Sequence, residues 1–150
     1  IARRAEVGHA TVFRRFPTKD DLIAAVVSKQ VGELAAFVRD ALDDDDAGEA
    51  FRSFVWHAGE LHARNRGLHE GFTRCAAIPD VAEAKAELNA LIEQLIERAQ
   101  AAGALRSDVA ADDVSSLVGG AIRGAADSPD PELWRRYVGV VLDGLRPVSA

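Results

Sequence analysis

The amino-acid sequence predicts an all-α protein, and three features of its composition and patterning support this fold class. Hydrophobic residues make up 48% of the 150 residues, which is enough to build a core. Alanine has the highest helix propensity and occurs 28 times, whereas the aromatic residues that favour strands are 6% of the chain. Hydrophobic residues recur at spacings of three and four, and no segment shows the sustained period-two alternation of a half-buried strand.

The first part of the chain predicts two short helical segments separated by a tight turn. Residues 1–7 are typical of the end of a helix, which Gly8 interrupts. Residues 11–16 form the second segment. Pro17 ends it, because proline lacks an amide hydrogen and disfavours helix at the residue before it.

A long helix is predicted next. Thr18 lies at an N-cap position, and Asp21 three residues later can face the free amides of the first turn, an Asp variant of the capping box. Hydrophobic residues then recur at helical spacing to about Leu42. The four aspartates at positions 43–46 repel one another and indicate a solvated loop.

Two helices are predicted between this loop and Pro79. The first carries hydrophobic residues from Phe51 to His62 on one arc, with Trp56 opposite that arc, so that Trp56 is either exposed or packed by another element. The second is shorter and ends before Pro79 with Cys75 near its end.

Three more helices complete the prediction. Asp80 and Glu83 are predicted to cap the first of them, and Gly103 is predicted to end it. Residues from about 111 to 126 form the next helix. The last helix is predicted to start with Asp130 as the cap and Pro131 at the first helical position, and to run to about residue 145.

Charge is unevenly distributed along the chain. The net charge is −6, yet residues 1–19 contain five basic residues and one acidic residue, so this head carries +4 and the remainder −10. A basic head on an acidic body indicates local contact with a polyanion such as DNA. Two short helices with Thr11, Arg14 and Arg15 on the second also fit a helix-turn-helix, although an ordinary helical hairpin with solvated arginines fits these residues equally well.

The sequence of residues 5–23, AEVGHATVFRRFPTKDDLI, resembles the signature of TetR-family transcriptional regulators. The family pattern begins with a threonine, a hydrophobic residue and an aromatic residue. Two polar residues and a second aromatic residue follow, and the pattern ends in Pro-Ser/Thr-Lys-Glu/Asp-x-Leu. The resemblance implies a regulator without enzymatic activity or cofactor, which acts in the bacterial cytoplasm. It predicts a helix-turn-helix part at residues 1–24 and a helical ligand-binding and dimerisation domain at residues 25–150.

The resemblance also implies which residues contact double-stranded operator DNA. The matching positions are His9, Ala10, Thr11, Phe13, Arg14, Arg15 and Lys19. Two residues depart from the family pattern. Glu6 stands where the family has a turn glycine, and Phe13 replaces a common tyrosine and lacks its hydroxyl. The family's first helix has no counterpart here, so we expect the sequence to be an N-terminally truncated view of a longer protein.

Regulators of this family place a small-molecule effector inside the helical body. We predict that a pocket, which needs apolar walls and a few polar anchors, is lined by Phe54, His62, Phe72, Cys75 and Leu91. A histidine on an apolar arc is more often a core residue, and a buried inert thiol is the simpler interpretation of Cys75.

The last two helices are predicted to form a homodimer interface. The final helix is hydrophobic over about half its circumference, and its neighbour is rich in glycine and alanine, which allow helices to approach closely. Tight packing within one chain is the alternative. The predicted interface residues are Leu117, Gly120, Ala121, Gly124, Trp134, Tyr137, Val138, Val141 and Leu145.

Other classes of protein have little support in the sequence. A single cysteine cannot form an intramolecular disulfide, and no apolar run approaches the ~18 residues of a membrane span. His57, His62 and His69 are five and seven residues apart rather than the four of a helical metal site, so no metal is predicted. No catalytic constellation is recognisable. The alternative function is an all-α small-molecule-binding adaptor without specific DNA binding.

Overall fold

The computed structural model describes residues 16–65, 73–125 and 128–147, and within them the regular structure is helical with no strand. The all-α prediction is confirmed. The long helices are α1 (Lys19–Leu42), α2 (Ala47–Arg64), α3 (Pro79–Ala101), α4 (Ala111–Gly124) and α5 (Leu133–Gly144). Residues 73–75 are also helical. They are the described end of the short helix predicted before Pro79.

The predicted start of α1 is confirmed in detail. The Thr18 hydroxyl accepts a hydrogen bond from the Asp21 amide at 3.1 Å, and the Asp21 carboxylate accepts one from the Thr18 amide at 2.9 Å. The aspartate loop is solvent-exposed, as predicted. Its last member, Asp46, is the N-cap of α2, because its carboxylate accepts a hydrogen bond from the Glu49 amide at 2.9 Å.

The predicted starts of two helices were wrong. Helix α3 begins at Pro79 with Ile78 as an N-cap that makes no side-chain hydrogen bond, so Asp80 lies inside the first turn. Proline fits this first position because its φ is preset and its missing amide would have no helical partner. In front of α5, the Asp130 carboxylate accepts a hydrogen bond from the Glu132 amide at 2.9 Å and forms a turn. Helix α5 therefore begins at Leu133, three residues after Asp130.

The end of α3 follows the prediction. Gly103 follows the C-cap residue Ala102 and has a φ of +71°, a conformation that glycine adopts without the strain a side chain would cause.

A single hydrophobic core joins the five helices. Helix α1 packs mainly against α3, and α4 packs against α5, while α2 contacts all four other long helices. Phe51, Leu95 and Ile96 are the largest side chains that are fully buried in this core. Trp56 lies 5.7 Å from Trp134 between ring centroids, so a residue of α5 packs against it, one of the two outcomes its position in the sequence left open.

Candidate functional site

The described part of the predicted DNA-binding head is the start of α1. His9, Ala10, Thr11, Phe13, Arg14 and Arg15 lie outside the described residues, as do Glu6 and the turn at Gly8. Lys19 is the exposed first residue of α1, directly after the N-cap. A phosphate at this helix end would meet the lysine charge and those first-turn amides that remain free, since the Asp21 amide is bonded to Thr18.

The first turn of α1 is bonded to the short helical segment that precedes α3. The Arg74 guanidinium donates to the Asp20 carboxylate at 2.8 Å. The buried Cys75 thiol lies 3.9 Å from the backbone carbonyl oxygen of Asp20. These contacts join residues at the start of α1, beside Lys19, to the body of the protein.

The capping box at this helix end is sensitive to pH. Hydrogen bonds from the Thr18 hydroxyl and then from its amide hold the pKa of Asp21 below its ordinary value of 3.8. Because the pKa is lowered in the folded state, the stabilisation is complete above the ordinary pKa and is lost as the pH falls through the lowered pKa.

We expect Thr18→Ala to destabilise the protein by about 1 kcal/mol at neutral pH, since the cap bond to the Asp21 amide is lost. Asp21→Asn should remove the part of the acid sensitivity that belongs to this carboxylate. Urea unfolding followed by circular dichroism at pH 7 and about pH 3 measures both effects. An Asp21→Asn variant with the acid sensitivity of the wild type would contradict this assignment.

A cavity of about 610 Å³, partly open to solvent, lies among the first four long helices and the segment before α3. Its described apolar lining consists of Val31, Leu34, Ala58, Leu61, Ala76, Leu88, Gly119 and Ile122. Its described polar lining consists of Gln30, His62, Asn65, Thr73, Lys85 and Arg123. Mostly apolar walls with a few polar groups are what small-molecule sites require, and the volume lies within the usual range.

The structure brings one of the predicted pocket residues to this cavity. His62 lines it, whereas Phe54 and Cys75 are buried in the core and Leu91 is half-buried on α3 away from the lining. Phe72 lies outside the described residues. Helical periodicity identifies a buried face, but it does not show which buried residues border a gap between helices.

Three polar lining residues that were not predicted could have been suggested only weakly, by their positions along their helices. Gln30, Asn65 and Arg123 each lie beside the apolar arc of their helix, where a polar side chain is ordinarily interpreted as solvated. Their common location becomes evident once α1, α2 and α4 are packed together.

The predicted interface residues divide into three groups by burial. Trp134, Val138 and Leu145 are buried in the chain's own core, in line with the alternative of packing within one chain. Ala121 and Val141 are half-buried. Leu117, Gly120, Gly124 and Tyr137 are exposed, and so is Val140, which the prediction missed.

The exposed members form a two-helix surface, here called the α4–α5 face and defined by Leu117, Gly120, Gly124, Tyr137 and Val140. Leu117 is 50% exposed, Tyr137 43% and Val140 73%, high values for large hydrophobic side chains. Positions 117, 120 and 124, like positions 137 and 140, are three or four residues apart and share one side of their helix. Helices α4 and α5 pack against each other, and a Cβ on Gly124 would lie 4.0 Å from the Tyr137 ring.

Residues 16–65, 73–125 and 128–147 contain no group of three His, Cys, Asp or Glu side chains placed to hold a metal ion. His57 stacks on Phe37 with 4.2 Å between ring centroids. Within the same ranges, no helix combines the length and apolar character that crossing a bilayer demands.

Comparison with protein families gives two matches. Residues 46–147 match the family described as "Transcriptional regulator SbtR-like, C-terminal domain". Residues 1–26 match "Bacterial regulatory proteins, tetR family". None of the curated proteins matches the chain.

Several solved structures are similar to the chain. The TetR transcriptional regulator SCO0520 from Streptomyces coelicolor has a TM-score of 0.77 and 27% identity, covering 99% of this chain and 86% of its own. A TetR transcription regulatory protein from Mycobacterium vanbaalenii has a TM-score of 0.71 and 31% identity, with coverages of 97% and 80%. The TetR-family regulator PfmR from Thermus thermophilus shares the fold at 20% identity, with a TM-score of 0.69 and coverages of 97% and 86%.

Proposed function

Because this chain belongs to the TetR family of bacterial transcriptional regulators, we propose that it is a repressor that binds a palindromic operator as a homodimer and is released by a small-molecule effector. It is a DNA-binding regulator by family, and we propose that it acts in the cytoplasm and has no enzymatic activity. The proposed division into a DNA-binding part at 1–24 and a ligand-binding and dimerisation part at 25–150 falls within α1, so one helix belongs to both.

The observation that carries the effector proposal is the link between the cavity and the start of α1. Thr73 and Ala76 line the cavity, and Arg74 between them is bonded to Asp20 in the first turn of α1. A ligand that displaces this lining segment would also displace the helix end that carries Lys19. Movement of that end in both subunits would change how the two heads fit the DNA. Release by a ligand requires such a difference in DNA contacts between the ligand-bound and ligand-free states.

DNA binding is tested first by titrating the protein against the DNA upstream of its own gene at several salt concentrations. We expect saturable binding that exceeds binding to random DNA by about 10³-fold or more. Weak, steeply salt-dependent binding that is equal for both DNAs would contradict the proposal. It would favour the adaptor function instead, in which the cavity is the functional site.

Dimerisation is proposed to bury the α4–α5 face. Exposed hydrophobic side chains on two adjacent helices are suited to an interface in which each helix meets its own copy. A two-fold dimer of this kind would present two heads to two half-sites about one or more DNA turns apart, which is why we propose a palindromic operator.

Substitution Val140→Glu is expected to raise the dimer dissociation constant by about 30-fold or more, because two-fold symmetry places two unpaired carboxylates in the interface. Sedimentation velocity over a range of protein concentrations measures this constant. Ala90→Glu adds the same charge to an exposed site on α3 and should leave the dimer intact. If Val140→Glu dimerises like the wild type, the dimer uses another face.

A further inference from the structure

We infer that the cavity binds an organic anion, a carboxylate or similar acid group on an apolar body, with Arg123 and Lys85 as the residues that contact the acid group. This inference rests on the proposed effector function and adds to it the chemical class of the ligand. Three observations carry it: the charge of the lining, the position of the Arg123 guanidinium, and the apolar residues that form most of the remaining lining.

The cavity lining has positive charge that no carboxylate balances. Lys85 and Arg123 are its charged members, and its described lining contains neither Asp nor Glu. Several other cations of the described residues have acidic partners, as in the pairs Arg39–Glu87 and Arg106–Asp108. For Lys85 and Arg123, no carboxylate of the described residues lies within 4.0 Å.

The Arg123 guanidinium lies over a glycine. Gly119 is one turn earlier on the same side of α4, and a Cβ there would be 2.7 Å from Nη1 of Arg123 and 3.4 Å from Cζ. The guanidinium therefore occupies space that exists because residue 119 has no side chain. Both Gly119 and Arg123 line the cavity, so this arrangement holds the positive group against its wall.

These features select among ligand classes. A guanidinium can donate two parallel hydrogen bonds to a carboxylate, and a lysine adds a second positive charge. The leucine, valine and isoleucine walls remove the apolar body of the ligand from water. A cationic ligand would meet two positive charges with no described carboxylate in the lining. A neutral ligand would gain no ion pair from Lys85 and Arg123, whose exposed side chains would stay solvated.

The inference is tested with two fluorescent probes that share one apolar body. 8-Anilino-1-naphthalenesulfonate is an organic anion, and N-phenyl-1-naphthylamine is its neutral counterpart. We expect the full-length protein to bind the anionic probe more tightly, and Arg123→Gln to weaken that binding about fivefold while leaving the neutral probe unaffected. Displacement of the anionic probe by decanoate but not by decan-1-ol extends the result to carboxylates.

A glycine pair provides a matched control for the position of the guanidinium. Gly119→Ala should weaken binding of the anionic probe about threefold, because the new methyl group displaces the Arg123 side chain. Gly32→Ala, at an exposed site of α1 with nothing within 4 Å of the added Cβ, should not change probe binding. Both variants raise helix propensity, so a difference between them is not an effect of helix stability.

The possible outcomes separate this inference from the proposed function. Equal binding of both probes, or binding of the anionic probe that Arg123→Gln leaves unchanged, overturns the anion class while leaving an effector pocket intact. If neither probe binds saturably, the pocket itself is overturned, and the effector proposal fails with it. Binding of the anionic probe that requires Arg123 supports both the anion class of the ligand and the effector pocket.

Discussion

Replacing both Arg14 and Arg15 with alanine should lower the affinity for operator DNA by about 100-fold, because each arginine contact with a base edge or phosphate is worth about 1–3 kcal/mol. From the family signature at residues 5–23 we propose that these two residues contact DNA, and the family match at residues 1–26 includes both positions. Fluorescence anisotropy with labelled operator at fixed salt measures the loss. The salt dependence should also become shallower if phosphate contacts are removed.

The control for this prediction removes the same charge elsewhere. Arg52 and Arg146 are exposed on α2 and after α5, far along the chain from the head, and their replacement by alanine changes the net charge equally. If this control weakens DNA binding as much as the Arg14 and Arg15 pair, the effect comes from the overall charge of the protein. Circular dichroism should show unchanged helix content in both variants.

The substitution Gly59→Ala should destabilise the protein by about 2 kcal/mol, even though alanine is the better helix former. Gly59 is buried in α2 beneath the Trp134 ring of α5. A Cβ at Gly59 would lie 2.5 Å from Cε3 and 2.8 Å from Cη2 of that ring, and closer still to Cζ3. The ring cannot turn aside easily, because Trp56 packs against it and the Arg135 guanidinium lies 4.6 Å from its centroid.

Urea unfolding at one fixed protein concentration measures this loss, since the stability of a dimer depends on concentration. Gly32→Ala is the matched control and should stabilise the protein by up to about 1 kcal/mol, because its added methyl group meets no other atom. Trp134→Phe combined with Gly59→Ala should recover part of the loss through non-additive coupling. Equal stability of Gly59→Ala and Gly32→Ala would show that α2 and α5 separate at little cost.

Close approach of α2 and α5 was not predictable from either helix alone. Gly59 is one small residue on the face of α2, and Trp134 is one hydrophobic residue on an unusually hydrophobic α5. Trp134 was predicted to lie in the dimer interface because α5 has more apolar surface than one buried stripe needs. The structure buries Trp134 against Gly59 and leaves Val140 exposed, since the direction of α5 relative to α2 decides which side of α5 faces inward.

The candidate ligand site, like the contact between α2 and α5, is formed by the packing of several helices and was not predictable from any one of them. His62 could be suggested from its position on an apolar arc, but Arg123 and Lys85 come from two other helices separated by many residues. Their alignment on one cavity depends on how α2, α3 and α4 pack. Gly119 gave a signal for close helix approach, and in the structure its role is to accommodate the guanidinium of its own helix.

Local sequence was sufficient to predict the helical class, the capping box at Thr18, the aspartate loop and the end of α3 at Gly103, because each depends on residues close along the chain. The family signature is likewise one continuous run, residues 5–23. Only the packing of the helices fixes which apolar residues fill the core, which border the cavity and which remain on the α4–α5 face. These outcomes depend on the relative positions of several helices. Residues far apart in the chain set those positions jointly, so no local pattern specifies them.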